Sequence, residues 1–337
     1  MWRIITHDQT MKLLENSFTN DLFSHAYILS GYRHVGKMTL ALDIAASLNC
    51  ISNLESCDSC IQCKRIFDNN HSDIKIIGDY DQNGLNNTVI SIESIREIQS
   101  ESNLKPFEGK YRVYIINGAE NLSIEASNAL LKLLEEPPEQ VVFILLTIDN
   151  NLIISTVSSR CKNIELRPIQ NSIIEKYLVN HYDISIESAS DISRISKGLL
   201  GWAIRAYNDP NIIIERDNRL NIIEKLLFAD DIYRFDYAKE LSEEFSKNKG
   251  VVYSEIELWL EFWKDIIYMK SNAHELIVNI SRLESLKSIS KLISNDIIHS
   301  FLKSIQECEL NLKKNLNSRL VLESLMLSLP FLKLKKK

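Results

Sequence analysis

Three groups of residues in this 337-residue chain have types and spacings that can do chemistry. The first is Cys50-x6-Cys57-x2-Cys60-x2-Cys63, which holds four of the six cysteines. Four thiolates so spaced make a closed tetrahedral zinc site, structural because no open coordination position remains. An iron–sulfur cluster uses similar spacing, and four free thiols are the bland alternative. The second group is Gly31-x4-Gly36-Lys37. Its glycines let backbone N–H groups turn toward phosphate, the following helix N-terminus adds positive potential, and Lys37 reaches for the β- and γ-phosphates. A complete loop continues with Ser or Thr to hold Mg²⁺. Met38 stands there instead, and a thioether is a poor ligand for a hard cation. Thr39 comes one residue late, about 100° around the helix. The third group is Ser159-Arg160-Cys161, in which Arg160, judged by spacing alone, is an ordinary surface arginine.

A hydrolysing P-loop protein also carries an acid at the tip of its third strand to organise Mg²⁺ and the attacking water. This chain has Asn117-Gly118 there, with Glu120 as a weak substitute farther on. Two losses at one site predict that the chain does not hydrolyse ATP efficiently. Phosphate affinity needs only the loop and the helix N-terminus, so ATP or ADP binding through Gly31, Gly36 and Lys37 stays open.

The elements that must position these groups follow from periodicity. An amphipathic helix, roughly Asp8 to Asn20, precedes a strand at Ala26–Ser30, the phosphate loop, and a helix from Met38 to Leu48. After the cysteine insert come a strand at Asp73–Ile77 and a helix from Ile92 to Ser100 behind the cap Ser91. A third strand, Arg112–Ile116, is followed by a helix capped by Ser123 and stopped by Pro137-Pro138. Val141–Leu146 is apolar on both faces, as a buried parallel strand is, and Asn163–Leu166 is a shorter fifth strand. Strands alternating with helices predict an α/β domain over 1–167 with a mostly parallel sheet and the zinc insert at 50–63. Beyond Pro168 the strand signal stops. Residues 168–210 form a small helical unit and residues 211–337 a helical bundle, ending in the basic tail Leu332–Lys337.

Composition agrees. With 9 glycines and 6 prolines the chain excludes collagen, flexible linkers and low-complexity disorder, and disfavours an all-β fold with frequent tight turns. A net charge of −6 excludes a protein whose main affinity comes from neutralising phosphates. Nucleic-acid contact is then local or shared with partner chains, with Lys105 and Lys110 as basic candidates. The opening residues carry no apolar signal region, and apolar runs fall far short of the ~18 residues of a membrane span. A cytoplasmic location with reduced thiols and no membrane contact is expected.

Together the residues resemble the bacterial clamp-loader members of the AAA+ superfamily. The resemblance runs through Ser24-His25-Ala26-Tyr27, the cysteine insert, His71-Ser72-Asp73, Ile95-Arg96-Glu97, Asn128 to Pro138 and Ser159-Arg160-Cys161. It implies an α/β AAA+ domain, a helical lid and a helical collar. It raises Arg160 to an arginine finger acting in trans on a neighbouring subunit. Motor members of the family keep the P-loop Ser/Thr, the acidic strand tip and a second-domain sensor arginine. Here Gly201 falls at the sensor position, and Arg205 lies one helical turn on. That pattern is similar to a non-motor, stator subunit of the DNA polymerase III clamp loader. It implies gamma/tau and delta subunits, a sliding clamp and primed DNA as partners in a hetero-oligomer of five subunits. An active motor subunit and a nucleotide-independent scaffold are the alternatives.

Overall fold

Five short apolar runs become the strands of one parallel sheet. The computed structural model describes residues 2–5, 8–19, 22–52, 56–78 and 89–332. The strands are β1 (Ala26–Ser30), β2 (Ile74–Ile77), β3 (Arg112–Asn117), β4 (Val141–Thr147) and β5 (Lys162–Glu165), in spatial order β2-β3-β4-β1-β5. Every neighbouring pair is parallel, so each connection must cross over, and helices cover both faces. Period two sorts the side chains. Tyr27, Leu29, Val113, Ile115, Val142 and Ile144 face one apolar cluster, with α2 (Lys37–Asn49) packed into it. Ala26, Ile28, Tyr114, Ile116, Phe143 and Leu145 face the other, with α4 (Ile92–Ser102) and α5 (Ile124–Glu135). All seven residues of β4 are buried, as its continuous apolar run requires.

The remaining helices of this part are α1 (Asp8–Thr19), α3 (Ile61–Phe67) in the cysteine insert, and the short α6 (Ser155–Ser158). Ser123 caps α5, its hydroxyl accepting from the Ala126 N–H at 3.0 Å. Ser91 occupies the cap position of α4 but makes no side-chain cap bond; its hydroxyl is engaged by the Glu93 carboxylate instead.

No strand follows β5 among the described residues. The helices are α7 (Asn171–His181), α8 (Ile186–Ile195), α9 (Leu200–Asn208), α10 (Asn211–Leu226), α11 (Asp231–Lys247), α12 (Lys249–Lys270), α13 (Leu283–Leu292), α14 (Asn295–Lys313) and α15 (Ser318–Ser328). The chain divides into two compact units, Met1–Ile174 with Gly198–Trp202, and Glu175–Lys197 with Ala203–Lys337. In the second, α12 is the central helix. Its Trp259, Phe262 and Trp263 are buried with Phe301 of α14 and apolar residues of α10, α11, α13 and α15. Its buried acids are matched: Tyr237 donates to Glu255 at 2.7 Å, Arg216 and Lys197 pair with Glu261, and Asn279 donates to Asp265 at 2.7 Å. Among the described residues no helix is long and apolar enough to cross a membrane. Asn20 and the lysine tail, residues 333–337, lie outside the described residues.

Candidate functional site

The phosphate loop leaves the C-terminal end of β1 and enters α2. Gly31 has φ +144, and a Cβ on it would run into the Leu166 carbonyl, so the loop's first turn requires glycine. Gly36, at φ 111, is the N-cap residue of α2. The loop's own lysine is turned inward. Lys37 Nζ donates to the Gly31 carbonyl at 2.6 Å and to the Tyr32 carbonyl at 2.9 Å. Burial pulls this amine down to about 8, against the opposing influence of the Glu120 carboxylate. Met38 is half-buried and packs against the apolar cluster under α2, and Thr39 is exposed.

At the tip of β3, Asn117 leads into Gly118, which is left-handed at φ 76, and then a 3-10 turn over Ala119–Asn121. That turn brings the Glu120 charge close enough to act on Lys37, and Glu120 Oε2 is buried with no hydrogen-bond partner among the described residues. Gly201, which the resemblance places at the sensor position, sits in the first turn of α9 against the phosphate loop: its N–H donates to the His34 carbonyl at 3.0 Å. A Cβ at Gly201 would meet that oxygen at 2.8 Å. Glycine here is a packing requirement as well as the absence of an arginine.

Arg160 follows α6. Val157 and Ile153 seat this segment in the same core face as α5, and Ser158 Oγ donates to Asn150 Oδ1 at 3.1 Å. The guanidinium is held on two sides: Nη2 pairs with Glu135 Oε1 at 2.7 Å, and Nη1 donates to the Thr156 carbonyl at 2.8 Å. Tyr27 lies opposite Lys162 and Ser30 opposite Glu165, so the phosphate loop and Arg160 stand at opposite ends of the β1–β5 pair. Leu166, the neighbour of Gly31, is six positions beyond Arg160, and the strand between them, Lys162–Glu165, runs roughly 10 Å along the sheet. Arg160 thus lies toward the end of β5 away from the chain's own phosphate loop.

The four cysteines of the insert converge, with all four Sγ atoms within 4.8 Å of one another. Tetrahedral coordination with metal–sulfur bonds of about 2.3 Å places sulfurs about 3.8 Å apart, so a small contraction closes this cluster on an ion. The Cys60 N–H donates to Cys57 Sγ at 3.3 Å and the Cys63 N–H to Cys60 Sγ at 3.4 Å. The Ser59 hydroxyl and N–H, with the Cys60 N–H, lower the Cys57 thiol to about 5, whereas burial raises that of Cys63. The donor set fits a thiophilic metal ion.

The insert is tied to the sheet by a polar network. His71 Nε2 lies 2.6 Å from Gln62 Oε1 of α3, and the Asp73 N–H donates to His71 Nδ1 at 3.1 Å. Asp73, fully buried, accepts from the N–H groups of Phe107, Glu108 and Gly109 at 2.7, 2.9 and 2.8 Å. This fixes the loop that carries Lys105 and Lys110. Lys105 is exposed, and Lys110 Nζ donates to the Cys50 carbonyl at 3.3 Å. Glu135 and the approach of Gly201 to His34 were not legible in the sequence; the Glu-Glu-Pro-Pro string that ends α5 was the one available signal for the former.

Residues 6–170 match the family described as "DNA polymerase III, delta subunit" and residues 216–330 the one described as "DNA polymerase III, delta subunit, C terminal". The chain is 26% identical over 324 residues to DNA polymerase III subunit delta' of Bacillus subtilis, covering 95% of each. It is 30% identical over 285 residues to DNA polymerase III subunit gamma of Buchnera aphidicola subsp. Schizaphis graminum, covering 81% of this chain and 76% of that one. Of several other tau, gamma/tau and gamma relatives it spans 25% to 47% of the length. Among solved structures, a gamma subunit-related protein of Thermotoga maritima is similar at 17% identity and a TM-score of 0.38, covering 95% of this chain and 97% of that one.

Proposed function

The chain belongs to the family of DNA polymerase III clamp-loader subunits, and from that premise we propose that it is the delta-prime-type, non-motor member. In this reading it does not hydrolyse ATP. It lends Arg160 to the nucleotide site of an adjacent gamma/tau-type motor subunit and helps load a sliding clamp onto primed DNA, in a hetero-oligomer that also contains a delta subunit. The observation that carries it is the separation of Arg160 from the chain's own phosphate loop by the length of the β1–β5 pair. A half-buried Met38 packed against the apolar cluster, Asn117-Gly118 at the β3 tip and Lys37 bonded to its own loop's carbonyls support the loss of the chain's own hydrolysis.

An arginine finger stabilises the charge that develops on a transferring γ-phosphate and raises rates by ~10³–10⁵, or roughly 4–7 kcal/mol. It also couples nucleotide state to assembly, since the guanidinium reaches phosphate only when the subunit interface is closed. The cysteine cluster, in the same reading, holds a structural Zn²⁺ that staples the insert to the sheet.

The test is ATP turnover by the pure chain, then by a motor-subunit assembly with wild-type chain, with Arg160→Ala and with none. No turnover by the pure chain and an Arg160-dependent stimulation of the assembly are expected. Stimulation that survives Arg160→Ala would establish a scaffold instead. A motor subunit is favoured by the 30% identity to a gamma subunit and by the Glu120 charge near Lys37; turnover by the pure chain would establish that reading.

A further inference from the structure

Arg160 does not hang free from the end of α6. Its Nη2 pairs with Glu135 Oε1 at 2.7 Å, and its Nη1 donates to the Thr156 carbonyl at 2.8 Å and to Ser159 Oγ at 3.4 Å. Glu135 is the last residue of α5, and the register of that helix is fixed by the buried Leu130, Leu133 and Leu134. A core-anchored helix end thus holds one side of the guanidinium while the backbone of α6 holds the other. We propose that Glu135 is the positioning residue for Arg160, a carboxylate that fixes the guanidinium in place before a neighbour's phosphate arrives. The proposal rests on the reading of Arg160 as a finger in trans and names the residue that makes that finger effective.

An arginine side chain carries much rotamer entropy, which must be lost when it is fixed in a transition state. Contacts that restrict it beforehand reduce that loss. The holding contacts must also leave donors free. A guanidinium has five N–H donors, and the three contacts here leave Nε–H and one Nη2–H for a phosphate oxygen. The side chains of Arg160 and Glu135 are 37% and 51% exposed, so solvent screens the pair. Glu135 therefore orients the guanidinium without trapping it.

The experiment uses the full chain reconstituted with motor subunits, comparing Glu135→Ala, Glu135→Gln, Arg160→Ala and the double variant Glu135→Ala/Arg160→Ala. Glu135→Ala should lower the kcat of the assembly's ATPase by about two- to fivefold, the worth of one part-exposed ion pair, with KM for ATP unchanged. Glu135→Gln keeps the accepting oxygen and should recover most of the rate. The double variant should be no slower than Arg160→Ala. A rise in KM at constant kcat, or an added loss in the double variant, overturns the positioning role. Wild-type rates for Glu135→Ala beside a damaging Arg160→Ala overturn this inference alone. An inert Arg160→Ala overturns the finger reading, and the positioning role with it.

Discussion

Replacing Asp73 by alanine should destabilise the first unit by about 3–5 kcal/mol, the cost of breaking a buried charged pair. The carboxylate is fully buried, accepts three backbone N–H groups at 2.7 to 2.9 Å and lies 3.4 Å from Arg112 Nη2. Hydrogen bonds to a charged group are worth roughly 1.5–3 kcal/mol each. Their simple sum overshoots, because the loop that supplies the donors is partly exposed and its amides rehydrate when released. The loss is still a large fraction of the ~5–15 kcal/mol that holds a domain together. Urea unfolding of the full chain should show an earlier transition, and amide exchange should accelerate at Phe107, Glu108 and Gly109. Asp73→Asn should fall between, since an amide keeps one accepting oxygen but turns a donor toward other donors. Burial alone would raise the Asp73 pKa, but the three N–H groups and Arg112 outweigh it and hold it below the ordinary 3.8. A depressed folded-state pKa gives stability that is complete above the unfolded value and drains away as pH falls through the folded one. The wild type minus Asp73→Ala difference should therefore shrink only in strong acid. An alanine variant within about 0.5 kcal/mol of wild type, with unchanged exchange in that loop, would refute the reasoning.

Asp43 should show the opposite pH sign. Burial raises its carboxyl to about 6 despite the N–H groups of Arg3 and Ile4, so its contribution is complete below the unfolded value and lost as pH rises through about 6. Asp43→Asn should flatten the stability profile between pH 4 and pH 6, and an unchanged slope there would dismiss the assignment. Removing metal by chelation, or Cys63→Ser, should release close to one zinc per chain and speed amide exchange in α3 while far-ultraviolet circular dichroism stays nearly constant; a chain that purifies without bound metal at reduced thiols would contradict the zinc site. Gly201→Ala should cost about 1–3 kcal/mol through overpacking against the His34 carbonyl, read as a lower urea midpoint, and Gly201→Arg more; a neutral alanine would show that the close approach is not rigid.

What was legible in the sequence was local. Ala26–Ser30 and the Ser123 cap stand where apolar patterning and capping chemistry place them, because a strand or helix end is specified by the residues within it. The cysteine cluster was legible for the same reason: two-residue spacings bring sulfurs together whatever surrounds them. Ser91 shows the limit, since its hydroxyl had two competing partners and took the Glu93 carboxylate rather than a backbone N–H. The rest depends on approaches between distant segments. Nothing in Gly198-Leu199-Leu200-Gly201 tells that the chain will pass within hydrogen-bonding distance of His34. Nor does Glu135, one of two adjacent glutamates, announce that it and not Glu136 pairs with an arginine 25 residues on.

The phosphate loop and Arg160 stand at opposite ends of the β1–β5 pair. A P-loop is built on the C-terminal end of a strand, while Arg160 precedes the N-terminal end of its neighbour, so neither constrains the side chains of the other. Met38 can pack half-buried against the cluster under α2, and Gly201 can close on His34, without moving the α6 segment that carries Arg160. That independence is the physical condition for a subunit to lose its own hydrolysis and keep a finger. The contacts on each side are of different kinds. At the loop, Lys37 donates to backbone carbonyls that a phosphate would have to replace as its partners. At Arg160, the partners are an exposed carboxylate, one carbonyl and the Ser159 hydroxyl, contacts weak enough for a phosphate to share. In the proposed reading, a self-satisfied loop and an arginine held only by exposed partners suit a subunit that gives a charge to a neighbour rather than using one at home.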